Sequence, residues 1–423
     1  MHASSYLHQN IHAGRHADYQ RWAEEAGRND RLWGRPSRRS TRVPERSSRL
    51  LERSLGRFVS DALSLALRAP SLLGTILRFA RGQRKAARVR SWWEAHGTHV
   101  PPLLVASITE TCNLRCAGCY AAAHRDGGRT GAVGGAGIAG DGELSSARWN
   151  GLFREASRLG VSFVLVAGGE PFARWEVIEA AAAMPDALVA VFTNGLLLPP
   201  RSIEAIGTTR NVVPVISLEG PQRETDSRRG AGVFRKVMQA MGRLRAAGIP
   251  FGASLTVTSV NLDVVTAPVF IRSLVTVGVR VVFFVEYTPV EPGTEALALS
   301  ETQRAELRRR VDAFHAERRA LFVAFPGDEE RYGGCLAAGR GFIHVDARGR
   351  LEPCPFAPFS DTSVRDSSLA DALRSPLLAA IRENHGRLTE TGGGCALWAE
   401  REWVRTLLPR ASEENRDLEA KAG

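Results

Sequence analysis

The sequence predicts an α/β protein: a partial (β/α)6, TIM-like barrel, with a helical extension before it and a small cysteine-bearing segment after it. Three observations predict this. Between residues 101 and 330, six short apolar runs alternate with amphipathic stretches. Residues 46–100 repeat apolar side chains every three and four positions among arginines. The six cysteines fall into two groups of three, one directly behind the first apolar run and one within residues 331–423.

Composition sets the bounds. A chain of 423 residues that is 44% hydrophobic can bury a large core, which excludes a disordered protein. No apolar run approaches the roughly 20 residues of a membrane-spanning helix, and the N-terminus lacks the order of a secretory signal. The expected location is therefore the cytoplasm. Clustered cysteines in a reducing compartment are more often metal ligands or redox groups than disulfides. Charge is uneven: residues 1–100 hold 19 Lys and Arg against 8 Asp and Glu, a surplus equal to the +11 of the whole chain.

Residues 1–45 are polar and Arg-rich without apolar periodicity, and read as a disordered basic tail. From Leu50 the pattern turns helical. Leu51, Leu55, Phe58, Val59, Ala62, Leu63 and Ala66 share a face, Pro70 interrupts, and "SLLGTILRFARGQRKAARVRSWW" resumes. Two amphipathic helices are expected over residues 46–100. They either pack on the following domain with their arginines in water, or lie on a membrane surface with the arginines at anionic headgroups. Nucleic acid is not an expected partner, because base-stacking aromatics are scarce.

The expected strands are "LLVASIT" (103–109), "VSFVLVAG" (161–168), "ALVAVFTNG" (187–195), "VVPVISLEG" (212–220), "PFGASLTVT" (250–258) and "VVFFVEYTPV" (281–290). Continuous apolar runs of this length suit strands buried on both faces. "ARWNGLFREASRLG", "RWEVIEAAAAM", "FRKVMQAMGRLRAAG" and "DVVTAPVFIRSLVTVG" are the intervening helices. Alternation of this kind gives a parallel sheet whose function sits at the strands' C-terminal ends.

Cys112, Cys116 and Cys119 lie at such an end. CxxxCxxC is too tight for one helix face to wrap three thiolates around a small ion, but a loop over an iron–sulfur cube can do so, leaving one iron open. The alternative is structural zinc with His124 as a further ligand.

The order of motifs resembles the radical S-adenosylmethionine superfamily over roughly residues 101–400. The signature CxxxCxxC follows the first strand. "AGGEP" (Gly168, Gly169, Glu170) closes the second strand, "FTNG" (Thr193, Asn194) the third and "ISLEG" (Ser217, Glu219) the fourth, with "RRG" (Arg228, Arg229) beyond. The resemblance implies a 4Fe-4S cluster on the three cysteines and S-adenosylmethionine chelated at its open iron. Its methionine amino group would meet the GGE backbone and carboxylate, its ribose Ser217 and Glu219, and its carboxylate the arginines. It also implies reductive cleavage to a 5′-deoxyadenosyl radical, hydrogen abstraction from a substrate, and an electron donor such as flavodoxin or ferredoxin. Family members often place a bulky residue before the third cysteine to cover adenine; here Gly118 stands there and Tyr120 is the substitute.

Cys335 and Cys354, spaced CX13GX4C around Gly349, with Cys395 after them, resemble a shortened SPASM domain of the Twitch type. That resemblance implies one auxiliary iron–sulfur cluster in residues 331–423, with either an open iron or a fourth ligand; His344 is one candidate, and zinc the other reading. "DARGR" between "FIHV" and "LEPC" is a hairpin turn. Glu286 and Tyr287 of "VEYTP" are the candidate catalytic residues, as acid, base or hydrogen donor. The Gly-rich stretch Arg125 to Glu143 reads as a loop beside the cluster.

For the substrate, the basic helices point to a lipid or membrane-bound molecule. The alternative is a ribosomally made peptide, and a non-enzymatic electron carrier is the rival of another class.

Overall fold

The computed structural model describes Ala62 and residues 73–123, 142–209, 211–327, 329, 334–388 and 395–408. The N-terminal tail, the first amphipathic helix apart from Ala62, His124 and most of the Gly-rich loop lie outside these residues.

All six expected strands are present, each slightly shorter than its apolar run. They are β1 Leu103–Ser107, β2 Phe163–Ala167, β3 Leu188–Thr193, β4 Val212–Leu218, β5 Phe251–Val257 and β6 Val279–Glu286. Neighbours pair in parallel, with Leu104 opposite Val164 and Ser217 opposite Ser254. A seventh parallel strand, β7 Leu321–Phe325, continues the sheet beyond β6. The C-terminal hairpin, β8 Phe342–Val345 and β9 Leu351–Glu352, joins the other edge, β8 running parallel to β1. The sheet order is therefore β7-β6-β5-β4-β3-β2-β1-β8-β9, without closure. Curvature nevertheless brings the two flanks together, since the rings of Phe325 on β7 and Phe342 on β8 meet edge-on at 5.8 Å.

A period of two is hidden inside these apolar runs. Leu104, Ala106, Val164, Val166, Val189, Val191, Ile216, Leu255 and Phe284 are buried under the helices, whereas Val105, Leu165, Phe192, Ser217, Ser254, Phe283 and Val323 face the barrel interior. Each fully buried aliphatic or aromatic side chain on the helix side contributes roughly 1.5–3 kcal/mol.

The outer helices follow from spacing and caps. Helix α2, Ser146–Leu159, buries Trp149, Leu152, Phe153, Ala156 and Leu159. The Ser145 hydroxyl accepts from Arg148 N at its start, and Gly160 ends it at φ 93°. Helices α3 Trp175–Ala182, α4 Pro200–Thr209, α5 Gln222–Arg229 and α6 Val233–Ala246 follow. The run 263–278, expected as one helix, is two: a single turn at Leu262–Val265, then α7, Pro268–Val277. Pro268 has no N–H for a preceding turn and sits at the new helix's start, where none is needed. Helix α8, Glu301–Glu317, begins with a capping box of Ser300 and Gln303.

The second amphipathic segment forms α1, Leu73–Ala95. It packs under the barrel: Phe79 meets Phe163 edge-on at 4.8 Å, Arg90 Nη1 donates to the Gly160 carbonyl at 2.6 Å, and Trp93 is buried. The close approach is possible because Gly82 has no Cβ; one there would lie 2.7 Å from the Asp186 carbonyl. Arg78, Arg81, Arg84 and Arg88 form the exposed side. The apolar side of α1 is thus used against the barrel. No described helix is long and apolar enough to cross a membrane.

Candidate active site

The strands' C-terminal ends open on a cavity of about 340 Å³. Its walls are apolar below, from Leu165, Phe192, Phe283 and Phe325, and polar above, where Cys112, Cys116 and Cys119 line it with Gly168, Gly169, Thr193, Asn194, Ser217, Arg228 and Arg229.

The cysteine loop is fixed from beneath. Gly169 N donates to the Thr109 carbonyl at 2.7 Å and Glu170 N to the Thr111 carbonyl at 2.8 Å. A Cβ on Gly168 or Gly169 would collide with those same carbonyl oxygens, so the glycine pair is what lets the loop lie on β2. Further support comes from residues that sequence reasoning missed. Glu143 accepts from Thr109 Oγ1 and Glu110 N at 3.0 and 2.7 Å, and pairs with Arg174, both almost wholly buried. Arg174 in turn donates to the Ile108 carbonyl at 2.9 Å.

The Glu170 carboxylate points away from the cavity. It accepts from Thr193 Oγ1 at 2.7 Å, Asn194 N at 2.8 Å and Phe172 N at 3.0 Å, so it latches the end of β3 to the end of β2. Burial raises its pKa, and these three donors oppose the rise. Only the glycines of that motif face the space where a cofactor would lie. Asn194 presents its side chain to the loop, donating to Asn113 Oδ1 at 2.7 Å beside the Cys112 sulfur. Glu219 is likewise buried rather than exposed to the cavity. One of its oxygens holds both Arg228 and Arg229 at 2.6 Å, and the other has no hydrogen-bond partner.

One carboxylate against two guanidinium groups leaves positive charge at the rim. Arg228 also clamps the loop, donating to the carbonyls of Ala117 at 3.0 Å and Gly118 at 3.4 Å. Burial raises the Cys112 thiol to about 11 and also lifts Cys116, where the charges of Arg229 and Arg228 oppose it. Gly118 takes φ +64°, and the Tyr287 hydroxyl fills the space where its Cβ would be. That hydroxyl is buried without a hydrogen-bond partner. Glu286 lines the cavity but is bound to Arg304 at 3.1 Å, which holds it as a charge pair.

Tyr120, expected to cover adenine, lines the cavity and packs edge-on against Phe356 at 5.2 Å. Burial, then the neighbouring Cys119 and Cys354, hold its phenol above the usual range. The second cysteine group is close by. Cys335, Cys354 and Cys395 are all buried, the Cys354 and Cys395 thiols are hydrogen-bonded, and Cys335 lies within electrostatic reach of both. Among the described residues, no three His, Cys, Asp or Glu side chains converge on a single-ion position. His344 is no ligand there: its ring nitrogens bind Glu352 at 2.9 Å and Ser107 at 2.8 Å, tying β8 to β9 and β1.

Residues 106–266 match the Radical SAM superfamily. The chain carries a radical SAM domain. Across this radical SAM domain and beyond, the chain is 27% identical over 295 residues to the AdoMet-dependent heme synthase of Methanosarcina barkeri, covering 64% of this chain and 81% of that protein. It is also 27% identical over 329 residues to the mycofactocin maturase MftC of Mycobacterium tuberculosis, covering 71% and 79%. Among solved structures, Streptococcus suis SuiB bound to its precursor peptide SuiA shares the fold, with a TM-score of 0.57, 17% identity and 74% of each chain covered.

The donor set fits what such a domain holds. Three half-buried thiols face a cavity beside Arg228 and Arg229, whose two charges are met by the single carboxylate of Glu219, and the cavity-lining Tyr287 has a buried hydroxyl without a partner. The radical SAM domain over residues 106–266 implies a 4Fe-4S cluster and S-adenosylmethionine.

Proposed function

We propose that the enzyme is a maturase that removes hydrogen from a ribosomally made peptide. Cys112, Cys116 and Cys119 would hold the 4Fe-4S cluster, which with bound S-adenosylmethionine supplies a 5′-deoxyadenosyl radical. The observation that carries the reading is the single cavity bounded by the first cysteine group, the apolar barrel floor and Phe356 beside the second. That room takes a side chain presented from an extended segment beside a cofactor. Relatedness to MftC supports a peptide, as does a shared fold with SuiB, which is seen with its precursor peptide.

Within this reading the chain's own groups have distinct tasks. Gly168 and Gly169 set the distance between cysteine loop and β2; Arg228 and Arg229 offer charge to the cofactor carboxylate; Ser217 faces the ribose. Tyr287 donates its free hydroxyl to the bound cofactor, and the Glu286–Arg304 pair fixes the end of β6. The apolar floor excludes water from the radical. Cys335, Cys354 and Cys395 would hold an auxiliary cluster in a Twitch-like C-terminal segment, with a flavodoxin or ferredoxin as the external electron source. The cytoplasm supplies such donors.

The test is deuterium transfer. Peptides encoded beside this gene, deuterated throughout, are incubated with reduced enzyme, in parallel with a deuterated total lipid extract. Label in 5′-deoxyadenosine from a peptide arm supports the proposal; label from the lipid arm alone refutes it.

A further inference from the structure

We propose that Glu329 is the fourth ligand of the second cysteine site, so that the auxiliary cluster is held by Cys335, Cys354, Cys395 and one carboxylate. This rests on the reading of that site as a cluster.

Glu329 is buried to 4% exposure. Its Oε1 accepts from Leu336 N at 3.1 Å, and its carboxyl is hydrogen-bonded to the Cys335 thiol. The backbone fixes it on both sides: Glu329 N donates to the Pro326 carbonyl at 2.7 Å, and Gly334 N to the Glu329 carbonyl at 3.0 Å. The carboxylate is therefore held beside Cys335 and the Leu336 backbone. Its electrostatic partners point the same way. Arg340, buried beneath, donates to the Gly334 and Cys335 carbonyls at 2.8 and 2.7 Å, and its charge acts on Cys335 and Glu329. A buried cation beside Cys335 and Glu329 is the countercharge an anionic metal centre needs.

His344, the other candidate, has both nitrogens engaged elsewhere. With Glu329 in place no iron of the second cluster is open. Substrate would not bind to it directly, and its role is electron relay.

The experiment uses cyanide as a probe of open iron, read by the electron paramagnetic resonance of the reduced second cluster. It is recorded in Cys112→Ala/Cys116→Ala/Cys119→Ala protein. If that variant is unstable, the intact enzyme saturated with S-adenosylmethionine, whose first cluster is then covered, replaces it. Against that background, wild-type Glu329 gives a signal that cyanide leaves unchanged. Glu329→Gln, which keeps the shape and the Leu336 contact, gives one that cyanide shifts, and Glu329→Cys restores insensitivity. A cyanide shift with Glu329 present, equal to that of Glu329→Gln, overturns the ligand assignment while leaving the cluster. Zinc in place of iron, or no metal at all, overturns the cluster reading and the ligand with it.

Discussion

A side chain at Gly169 would collide with the Thr111 carbonyl oxygen, and the cysteine loop would have to rise off β2. Gly169→Ala is therefore expected to cost about 1–3 kcal/mol in strain, and to lose the iron held by Cys112, Cys116 and Cys119 without disturbing the proposed second site. Metal analysis with and without Cys112→Ala checks it. Tyr287→Phe removes a buried hydroxyl that has no partner, so unfolding by urea should be unchanged or slightly harder. Because that hydroxyl is proposed to bind the cofactor, affinity for S-adenosylmethionine should fall by about tenfold, equivalent to ~1.4 kcal/mol; equal affinity in calorimetry would remove Tyr287 from the site. The cysteine loop was legible from its spacing, and the strand-end motifs from the resemblance to the radical SAM superfamily. What spacing does not encode is direction. Glu170 and Glu219 lie where the motifs place them, but each turns inward to satisfy neighbouring donors, because an ionised carboxylate at these buried strand ends needs them. Glu143 and Arg174 had no signal beyond being charged residues in apolar surroundings.

At the scale of elements, α1 lies with its apolar side against the barrel. Phe79→Ala or Trp93→Ala should destabilise the protein by about 3–5 kcal/mol in urea. Reversing Arg81 and Arg84 on the exposed side should change stability by no more than ~0.5 kcal/mol, with no change in sedimentation with anionic vesicles; loss of vesicle binding on reversal would restore the membrane reading. The strands were legible because burial on both faces makes uninterrupted apolar runs. β7 escaped for a reason of the same kind. "LFVAF" is only five residues long and follows a charged helix directly, so a sheet of six strands already accounted for the pattern. The break before α7 was written in Pro268, where helix periodicity outweighed the missing N–H.

The whole molecule joins two cysteine sites across one sheet. β8 pairs with β1 although more than 200 residues separate them, and Tyr120, directly after Cys119, touches Phe356, two residues after Cys354. Long-range pairing leaves no local trace, so the hairpin itself could be read from "DARGR" while its attachment to the barrel could not. If the second cysteine group holds the proposed auxiliary cluster, removing the Tyr120–Phe356 contact in Phe356→Ala should slow reduction of the first cluster through it without altering iron content, as stopped-flow absorbance would show. The central claim, however, is that the first site performs radical chemistry on S-adenosylmethionine. It is tested most directly by 5′-deoxyadenosine release from anaerobically reconstituted, reduced protein, compared with Cys119→Ala. Wild-type protein should produce 5′-deoxyadenosine and the variant none; fully iron-loaded wild type that cleaves nothing, with peptide or lipid present, would contradict the account.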